Sequence, residues 1–255
     1  MKTSITWFPP SVNLALSTRD LHIWRARLDE PEEYVKAMAA LLSGEEIARG
    51  EKFVFARDRQ HFIVARGTLR ALLGLYLHKP PAALALCKGP NGKPELCAGA
   101  AESPMKFNLS HSHGMALYAF AVQQEVGIDL EKIRSDVAIT EVAGRFFSAH
   151  EQEELRALPA EFRAEGFFLG WTRKEAYLKA RGDGLQVPLD SFNVTLTPHQ
   201  PAEINSVDSA RWTLTSFIPA PNYVAATVAE GTGWNTHFYE ATGLNLIAAS
   251  KEASC

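Results

Sequence analysis

The chain contains 255 residues, of which 46% are hydrophobic and 22% are charged. This composition is typical of globular proteins with a sizeable core, and the length suits one large domain or two modest ones. The formal net charge is only −3, so no overall field favours nucleic acid or an anionic membrane. We therefore expect neither of these as a partner.

The cysteines and the apolar segments bear on localisation. Cys87, Cys97 and Cys255 form no CxxC pair, and an odd count without a secretory signal predicts reduced thiols in a cytoplasmic protein. The first twenty residues lack a continuous apolar segment, so we expect no signal peptide there. The most apolar predicted helix carries Arg66 and Arg70 in its middle, which indicates a core helix and not a membrane span.

The first part of the chain predicts a strand, three helices and a hairpin. A proline at the first helical position, a Ser-x-x-Glu capping box and an Asn-Gly turn are the local signals. In chain order these elements are a strand at 21–28, a helix at 31–42, a helix opened by Ser43 and Glu46, a long helix at 60–78, and a turn-rich segment at 88–96 with Asn91-Gly92.

The second part predicts strands, three helices and closing strands. A second capping box and a glycine that ends a long helix are its clearest local signals. The predicted elements are strands at 105–110, 115–122 and 125–133, helices at 139–147 and 148–158 (the latter opened by Ser148 and Glu151), a helix at 161–182 ended by Gly182 with Gly184 nearby, strands at 191–197, 210–217 and 222–229, and an appended strand or tail at 232–255.

A weak internal repeat appears when the chain is compared with itself at an offset of 105 residues. Ser43-Gly-Glu-Glu falls on Ser148-Ala-His-Glu, and Leu21 falls on Val126. This pattern predicts two related strand–helix–helix halves packed as a pseudo-dimer, whose interface would form a natural ligand cleft. The alternative is coincidence between two α/β segments, because helix caps recur in many proteins.

Acidic side chains occur at strand and helix spacings. Asp129 and Glu131 are two residues apart in VGIDLEKI, so they share one face of a strand. Trp171, Glu175 and Lys179 share one face of the long helix at 161–182. The ordinary interpretations are an edge strand with a solvated acidic face and a surface Glu175–Lys179 pair. The many apolar neighbours of Glu175 favour a buried helix instead.

A metal site follows if the acidic side chains converge. Asp129, Glu131 and Glu175 would repel by roughly 4 kcal/mol per pair at about 4 Å, so protons or a cation would have to offset their charge. An all-oxygen ligand set is typical of Mg²⁺, which usually shares its ligands with phosphates. The scattered cysteines and the absence of an HxxxH spacing do not indicate zinc.

Several polar side chains could face an anion. Lys93 follows a tight turn, and Ser110 and His111 end a strand, where a hydroxyl and backbone N–H groups can contact a phosphate. Other cationic candidates lie in the long helix and around the N-terminal helices; they are Lys174, Lys179, Arg49, Arg57 and Arg59. Each of them alone could equally be an ordinary solvated surface charge.

Five motifs carry a resemblance to a known family. They are GKP (92–94), FNLSHS (107–112), GIDLE (127–131), FFSAHE (146–151) and WTRKEAYLKARGDGL (171–185). In this order and spacing, the chain resembles the Sfp-type 4′-phosphopantetheinyl transferases over residues 43–195. The KEA form with Trp171 is similar to the branch that serves fatty-acid, polyketide or peptide-synthetase carriers.

The resemblance implies an α+β fold, a pseudo-twofold monomer of two similar α/β halves with the active site at their interface. It implies transfer of the phosphopantetheine arm of coenzyme A to a serine of an apo acyl or peptidyl carrier protein, with release of 3′,5′-ADP. Residues 1–124 would contact the coenzyme A phosphates, residues 125–231 would hold the metal and dock the carrier, and residues 232–255 would form an extension.

Site residues are implied by the same motifs. Mg²⁺, or Mn²⁺ in its place, would be held by Asp129, Glu131 and Glu175. The coenzyme A phosphates would be contacted by Lys93, Ser110, His111, Lys174, Lys179 and Arg49, with Arg57 and His61 nearby; His61 takes the place of a common arginine. Glu46 stands at a position that is basic in the family, which is a departure from the family pattern.

The reaction needs charge neutralisation, alignment and a base for the serine proton. Glu175 or Glu151 is the candidate base, and Lys179 completes the catalytic set. Glu151 also has an ordinary explanation, because it occupies the capping-box position. The carrier is expected to dock between Phe146 and Phe168. The alternatives are a non-catalytic binder of coenzyme A or carrier, and a Mg²⁺-dependent nuclease, which the acidic composition disfavours.

Overall fold

A long helix packed on antiparallel strands forms the first half of the chain. The computed structural model describes residues 5–9, 14–89, 92–97, 104–182 and 187–241. The elements of the first half are β1 (Asp20–Arg27), α1 (Glu32–Ala39), α2 (Gly44–Gly50), α3 (Ala56–Leu77), β2 (Leu86–Lys88), β3 (Pro94–Leu96), β4 (Met105–Ser112) and β5 (Met115–Val122).

The second half has the same kind of order, followed by one more strand. Its elements are β6 (Val126–Lys132), α4 (Ile139–Phe146), α5 (Ala149–Ala157), α6 (Ala160–Arg181), β7 (Asn193–Val194), β8 (Ile204–Asn205), β9 (Trp212–Phe217), β10 (Tyr223–Glu230) and β11 (Asn235–Glu240). The predicted strand at 191–197 is shorter than expected. Predictions that fall on Asn91, Gly184, Cys255 and residues 242–255 lie outside the described residues.

The predicted repeat is confirmed by the sheet topology. In the first half β1 pairs with β5 and β5 with β4; in the second, β6 pairs with β10 and β10 with β9, all antiparallel. Helices α3 and α6 contain 22 residues each. Both capping boxes are present, at Ser43 with Glu46 and at Ser148 with Glu151. The mixed α+β, pseudo-twofold architecture predicted above is therefore the observed one.

An apolar core joins the two halves. Ile23 and Leu117 from the first sheet pack with Ile128 and Ala225 from the second in one buried cluster. Strand β6 is buried on both faces, since Asp129 is only 4% exposed. β6 does lie at the edge of its sheet, in the order β6-β10-β9, but α6 covers its acidic face, so the interpretation of that face as solvated is wrong.

The close packing of α6 on β6 depends on Gly127. A Cβ added there would stand 2.1 Å from the carbonyl oxygen of Ala176 and 2.3 Å from the backbone nitrogen of Ala180. Only glycine permits so close an approach of helix backbone to strand. The approach brings Glu175 and Lys179, which neighbour those two alanines, over the strand that carries Asp129.

The extension predicted after residue 231 is in part an element of the first half. Strand β11 pairs in parallel with β1, from Asp20 opposite Asn235 to Arg25 opposite Glu240. Arg25 also forms an ion pair with Glu240. The appended strand is thus confirmed, and it extends the first sheet to the order β11-β1-β5-β4.

The prediction of reduced thiols is wrong for two of the three cysteines. Cys87 and Cys97 form a disulfide, with their Cα atoms 5.2 Å apart. Antiparallel pairing of β2 with β3 brings these residues together, which a search for CxxC spacing does not detect. Within the described part of the chain, no helix is long and apolar enough to cross a membrane.

Candidate active site

Hydrogen bonds from side chains of β4 connect the first half to β6 of the second half, because β4 and β6 belong to different sheets. Alternate residues of β4 point to β6, as the two-residue period of a strand requires. Asn108 accepts a hydrogen bond from the backbone N–H of Ile128 at 2.9 Å, Ser110 donates to Asp129 Oδ1 at 2.8 Å, and Ser112 donates to Glu131 Oε2 at 2.8 Å. The FNLSHS motif therefore fixes the two acidic side chains of GIDLE.

A cavity of about 430 Å³ opens at this seam and takes its walls from both halves. Six of the residues singled out from the sequence line it: Arg49, Lys93, Ser110, His111, Glu175 and Lys179. They come from α2, the β2–β3 hairpin, β4 and α6. The repeat therefore does form a cleft between the halves, as the pseudo-dimer interpretation predicts.

Asp129 is buried behind the cavity wall and does not line the cavity itself, but it bonds to two residues that do, Ser110 and Lys179. Its Oδ1 accepts hydrogen bonds from Ser110 at 2.8 Å and from Lys179 Nζ at 2.6 Å. Its Oδ2 is buried and has no hydrogen-bond partner in the described residues. Because a buried carboxylate oxygen without a partner is costly, this atom is suited to receive a cation or a donor from a ligand.

Glu175 and Glu131 are electrostatically coupled to Asp129. Burial first, and then the negative charge of Asp129, raises the pKa of Glu175 above its usual range. Burial also raises the pKa of Glu131, with Asp129 adding to the effect, while the hydrogen bond from Ser112 opposes it. Repulsion of this kind between carboxylates favours a proton or a cation between them.

The three carboxylates do not converge into one ready-made metal cluster. In the described residues, no group of three or more His, Cys, Asp or Glu side chains lies close enough to hold an ion. The reason is that Asp129 Oδ1 binds Lys179 and Glu131 Oε2 binds Ser112. The expected convergence of all three groups is therefore not present in the side chains as they stand.

Lys93 connects the hairpin of the first half to the end of α6. Its ammonium donates to the backbone carbonyls of Lys179 at 3.1 Å and Val126 at 3.3 Å, and it lies 3.8 Å from Glu125. The carbonyl of Lys179 belongs to the last helical turn, which lacks partners within the helix. Burial lowers the pKa of Lys93, while Glu125 opposes the shift.

His111 contributes an imidazole to the cavity wall. Desolvation by the surrounding protein is the main cause that lowers its pKa, and the positive charges of Lys179 and His61 lower it further. A neutral imidazole at neutral pH can still donate one hydrogen bond to a phosphate oxygen. His113 lies in the following turn at a positive φ of 45°.

Three wall residues of α3 were not predicted from the sequence. Phe62, Ala65 and Arg66 line the cavity, and the guanidinium of Arg49 lies 5.4 Å from the centre of the Phe62 ring. The helical spacing of Phe62, Arg66 and Arg70 is the signal that could have revealed them.

Arg57 and His61 both pair with the carboxylate of Asp29, and neither lines the cavity. Arg57 donates to Asp29 at 3.1 and 3.2 Å, and His61 Nε2 lies 2.8 Å from the same carboxylate. Neither residue is part of the cavity wall. His61 acts on the cavity only through its charge, which His111 senses.

Lys174 and Glu151 lie away from the cavity, contrary to their predicted roles. Lys174 and Glu151 have fully buried side chains that form an ion pair of 2.8 Å. The ammonium also donates to the carbonyls of Leu189 and Phe192 at 2.7 Å each, and the carboxylate accepts from the backbone N–H of Val194. Burial lowers the pKa of Lys174, and Glu151 opposes this shift. Both residues are structural here, so neither a phosphate contact nor a base fits them.

Comparison with known proteins supports the family suggested by the motifs. The family descriptions "4′-phosphopantetheinyl transferase, N-terminal" and "4′-phosphopantetheinyl transferase superfamily" match residues 24–124 and 125–228, respectively. The 4′-phosphopantetheinyl transferase HetI of Nostoc is 42% identical over 234 residues, which are 92% of this chain and 98% of HetI. The chain belongs to the 4′-phosphopantetheinyl transferase family.

Two further matches are shorter or more distant. The 4′-phosphopantetheinyl transferase Sfp of Bacillus subtilis is 39% identical over 99 residues, covering 39% of this chain and 42% of Sfp. A holo-(acyl-carrier-protein) synthase from Bacillus anthracis, solved in complex with CoA (3′,5′-ADP), is 21% identical with a TM-score of 0.35 and covers 43% of this chain and 96% of its own. The predicted family resemblance is confirmed by the two family descriptions and by the similarity to HetI.

Proposed function

We propose that this chain transfers the 4′-phosphopantetheine arm of coenzyme A to a serine hydroxyl of an apo acyl or peptidyl carrier protein and releases 3′,5′-ADP. One observation supports this most strongly. The cavity brings the cationic side chains of Arg49 and Lys93 in the first half together with Glu175 of the second half, and Asp129 lies behind two other lining residues, Ser110 and Lys179, to which it bonds. A phosphate-rich substrate with a divalent cation would satisfy both groups.

Mg²⁺ is the cation that best fits this donor set, with Mn²⁺ as an alternative. The partnerless Oδ2 of Asp129 and the raised pKa of Glu175 support a cation between them, and oxygen-only donors are typical of Mg²⁺ sites. Asp129 and Glu175 would hold the ion, and Glu131 would complete the set. When bound, the ion would offset charge on the phosphates of the departing 3′,5′-ADP.

Five of the residues that line the cavity have separate roles in this proposal. Lys179 and His111 line the wall beside Asp129, where they would contact the coenzyme A phosphates. Arg49 and Lys93 would bind anionic oxygens from the side of the first half. Glu175 is the candidate base for the serine proton, because its carboxylate faces the cavity.

The carrier is proposed to dock on the second half, between Phe146 and Phe168. Arg156 is exposed, and among the described residues its side chain bonds only to Gln152 along its own helix, so its guanidinium is available to an acidic carrier. Arg163 instead donates to the backbone carbonyls of Leu158 and Arg156. Charge reversal at Arg156 should raise the KM for the carrier several-fold, and an unchanged KM would count against this surface.

The remaining proposals concern domains, assembly and compartment. Residues 1–124 would contact the phosphates, and residues 125–231 would hold the metal and dock the carrier. We propose a monomer, because the internal repeat already provides the paired interface, and a cytoplasmic location, where carrier proteins and coenzyme A meet. Nucleic acid and membrane are not proposed as partners.

Intact-mass spectrometry of an apo carrier incubated with the protein, coenzyme A and MgCl₂ tests the function, with EDTA as the control. The expected result is a gain of one phosphopantetheine mass that requires the metal. No gain on several carriers, with coenzyme A still bound, would favour the non-catalytic binder. Metal-dependent cleavage of DNA by the same preparation would favour the nuclease.

A further inference from the structure

The loop between α2 and α3 exposes three large apolar side chains in succession. Phe53, Val54 and Phe55, here called the apolar loop, are 39%, 90% and 69% exposed, respectively. All residues from 51 to 59 are exposed, so no described segment of the chain covers the tip of this loop. Soluble monomeric proteins rarely expose large apolar side chains in a continuous patch, and such a patch typically marks a contact with another molecule.

Phe55 occupies a position at which another residue type would stabilise the fold. It is the N-cap of α3, a helix of 22 residues, and its side chain forms no capping hydrogen bond. Serine occupies the equivalent position before α2 and before α5, where its side chain accepts a bond from a backbone N–H of the first turn. Phenylalanine has no acceptor for such a bond. A local preference that is broken at an exposed residue indicates that Phe55 serves a contact outside the fold.

Contacts within and after the apolar loop fix it beside the cavity. Phe53 packs against Phe62 of the cavity wall, with the ring centres 5.4 Å apart. In the first turn of α3, Arg57 donates to the carboxylate of Asp29. Asp29 in turn lies against Gly114, because a Cβ added to this glycine would stand 2.4 Å from Asp29 Oδ2. The start of α3 therefore lies next to the turn between β4 and β5.

The turn between β4 and β5 is also where the first half contacts the carboxylate end of β6. Ser112, the last residue of β4, donates to Glu131 Oε2 at 2.8 Å. Tyr223 of β10 donates to the backbone carbonyl of His113 at 2.6 Å. Lys93, which bonds to the first residue of β6, marks the opposite end of the cleft. The apolar loop therefore lies on the rim of the cleft, at the end nearest Glu131.

Of the molecules that could cover this rim, a carrier protein fits best. The three residues of the apolar loop are not part of the cavity wall, so they are not placed to bind coenzyme A. Transfer to a carrier requires its serine hydroxyl to reach the cavity, so the carrier must cover the mouth at the carboxylate end. Residues 49–59 also include four basic and two acidic side chains in a chain of net charge −3. This local excess of positive charge complements an acidic carrier.

We propose that the apolar loop forms a second part of the carrier-docking surface, on the first half of the chain. This inference rests on the proposed function. Val54 and Phe55 pack against apolar side chains beside the carrier serine, since a few buried anchors provide most of the affinity of an interface. Lys52 and Arg59 contact acidic side chains of the carrier at the polar edge. A carrier held by both halves has its serine over the cleft between them.

Steady-state kinetics of Phe55→Ser tests the assignment, because this substitution separates binding from folding. Serine at this N-cap can accept a hydrogen bond from the first turn of α3, so the melting temperature should equal or exceed that of the wild type. The KM for the apo carrier should rise roughly tenfold, as expected for the loss of one interface anchor. Both kcat and the KM for coenzyme A should stay constant. An unchanged KM for the carrier, or an equal rise in both KM values, would overturn the assignment.

Two exposed valines provide a matched pair of variants. Val54→Ser removes an apolar side chain from the loop and should raise the KM for the carrier several-fold. Val207→Ser is the control, because Val207 is fully exposed in the second half and is not part of the cavity wall; it should leave this KM unchanged. An equal rise in both variants would contradict the inference.

The identity of the molecule that covers the apolar loop is tested by sedimentation velocity and by flotation with phosphatidylglycerol vesicles. The wild-type protein should remain monomeric and free of the vesicles. Self-association or vesicle binding that Phe55→Ser abolishes would overturn the inference in favour of a second copy or a lipid surface.

Fluorescence anisotropy with a labelled apo carrier, in which alanine replaces the acceptor serine, measures docking without turnover. Phe55→Ser should bind this carrier roughly tenfold more weakly than the wild type. If that difference is found but the wild-type protein transfers nothing to the unmodified carrier, the proposed function fails while the docking surface stands. Equal binding by both proteins, with normal transfer, would refute the surface and leave the proposed function in place.

Discussion

Equivalent glutamates in the two halves use the same local structure for different purposes. Glu46 and Glu151 lie 105 residues apart, and each closes a capping box. Glu46 orients Arg66 towards the cavity, whereas Glu151 pairs with Lys174 in the core, where both side chains are fully buried. The same capping box therefore does not determine the role of the glutamate. That role depends on its partner in the following long helix, Arg66 in α3 or Lys174 in α6.

Other equivalent positions show the same divergence. Position 70 holds a buried arginine in the first half, and its counterpart is Glu175, which lines the cavity. Position 22 holds a buried histidine, and its counterpart is Gly127, which admits the backbone of α6. The proposed function assigns anion binding to the first half and cation binding to the second. The predictions below test this division.

Removal of the negative charge of Asp129 should cause the largest loss of transfer activity. Asp129→Asn keeps the shape and the hydrogen bond from Ser110 but removes the charge that a cation needs. We expect kcat/KM to fall by about 1000-fold, comparable to the loss of other preorganised electrostatic contacts. Initial rates from the intact-mass assay measure the change.

The fold of the Asp129 variant should remain intact. Its melting temperature should fall by no more than a few degrees, because repulsion with Glu175 and Glu131 is relieved while the bond from Lys179 weakens. Asp136→Asn, at an exposed position beside Arg134, is the control and should be fully active. A collapse of the melting temperature in Asp129→Asn would mean that this carboxylate is structural.

Glu151→Ala should affect stability and not catalysis. It leaves the buried ammonium of Lys174 without its counter-ion, which typically costs about 3–5 kcal/mol in the free energy of unfolding. The rate per folded molecule should remain close to that of the wild type. Urea denaturation and active-site titration measure the two quantities.

Two further variants test whether Glu151 is structural: a double substitution of Glu151 and Lys174, and a substitution of Glu46, the equivalent residue of the first half. Glu151→Ala with Lys174→Met should recover much of the lost stability, because no unpaired charge remains. Glu46→Ala should be less destabilising, since Arg66 lines the cavity and Arg70 keeps its bonds to two carbonyls. A large loss of rate with normal stability in Glu151→Ala would restore Glu151 as a candidate base.

His22 should make the first half sensitive to acid. Burial is the main cause that lowers its pKa to about 4, from 6.5. Below pH 6.5 the unfolded chain binds a proton that the folded protein does not, so the free energy of unfolding should fall between pH 6.5 and 4 and then level off. A shift of this size corresponds to about 3 kcal/mol.

His22→Gln should flatten this dependence, since the substituted side chain does not titrate. Urea denaturation at several pH values between 7.5 and 4 measures it. His150→Gln, at an exposed position in α5, is the control and should keep the wild-type slope. The same slope in His22→Gln and in the wild type would place the acid sensitivity elsewhere, for example at His111.

Local signals in the sequence were sufficient for most of the fold. The capping boxes at Ser43 and Ser148, the glycine at position 182 and the alternation around Asp129 each depend on residues within one turn or one strand, and all of them predicted elements correctly. The repeat then predicted the cleft. Contacts between distant segments were not accessible in this way, such as the bond of Glu46 to Arg66 and the Cys87–Cys97 disulfide.

Helical geometry argues against one of the predicted site residues, Lys174. Lys174 and Glu175 are adjacent, so their side chains diverge by about 100° around the helix axis, and only one of them can face the cavity. Lys179 lies one turn after Glu175 and shares its face. The family resemblance suggested a role for all three, but the helix period already separated Lys174 from the site.

Reduction of the disulfide in the β2–β3 hairpin should have the smallest effect on activity. It tests whether this hairpin of the first half positions the end of α6 in the second. Its disulfide joins Cys87 to Cys97, and its turn carries Lys93, which bonds to the last turn of α6. Reduction with dithiothreitol should therefore raise the KM for coenzyme A roughly threefold, within the range of one hydrogen bond of about 0.7 kcal/mol, and leave kcat unchanged. The decisive control is Lys93→Met. If the disulfide acts by holding Lys93, this variant should show the same KM before and after reduction; a threefold rise in it as well would mean that the disulfide stabilises the cavity by another route.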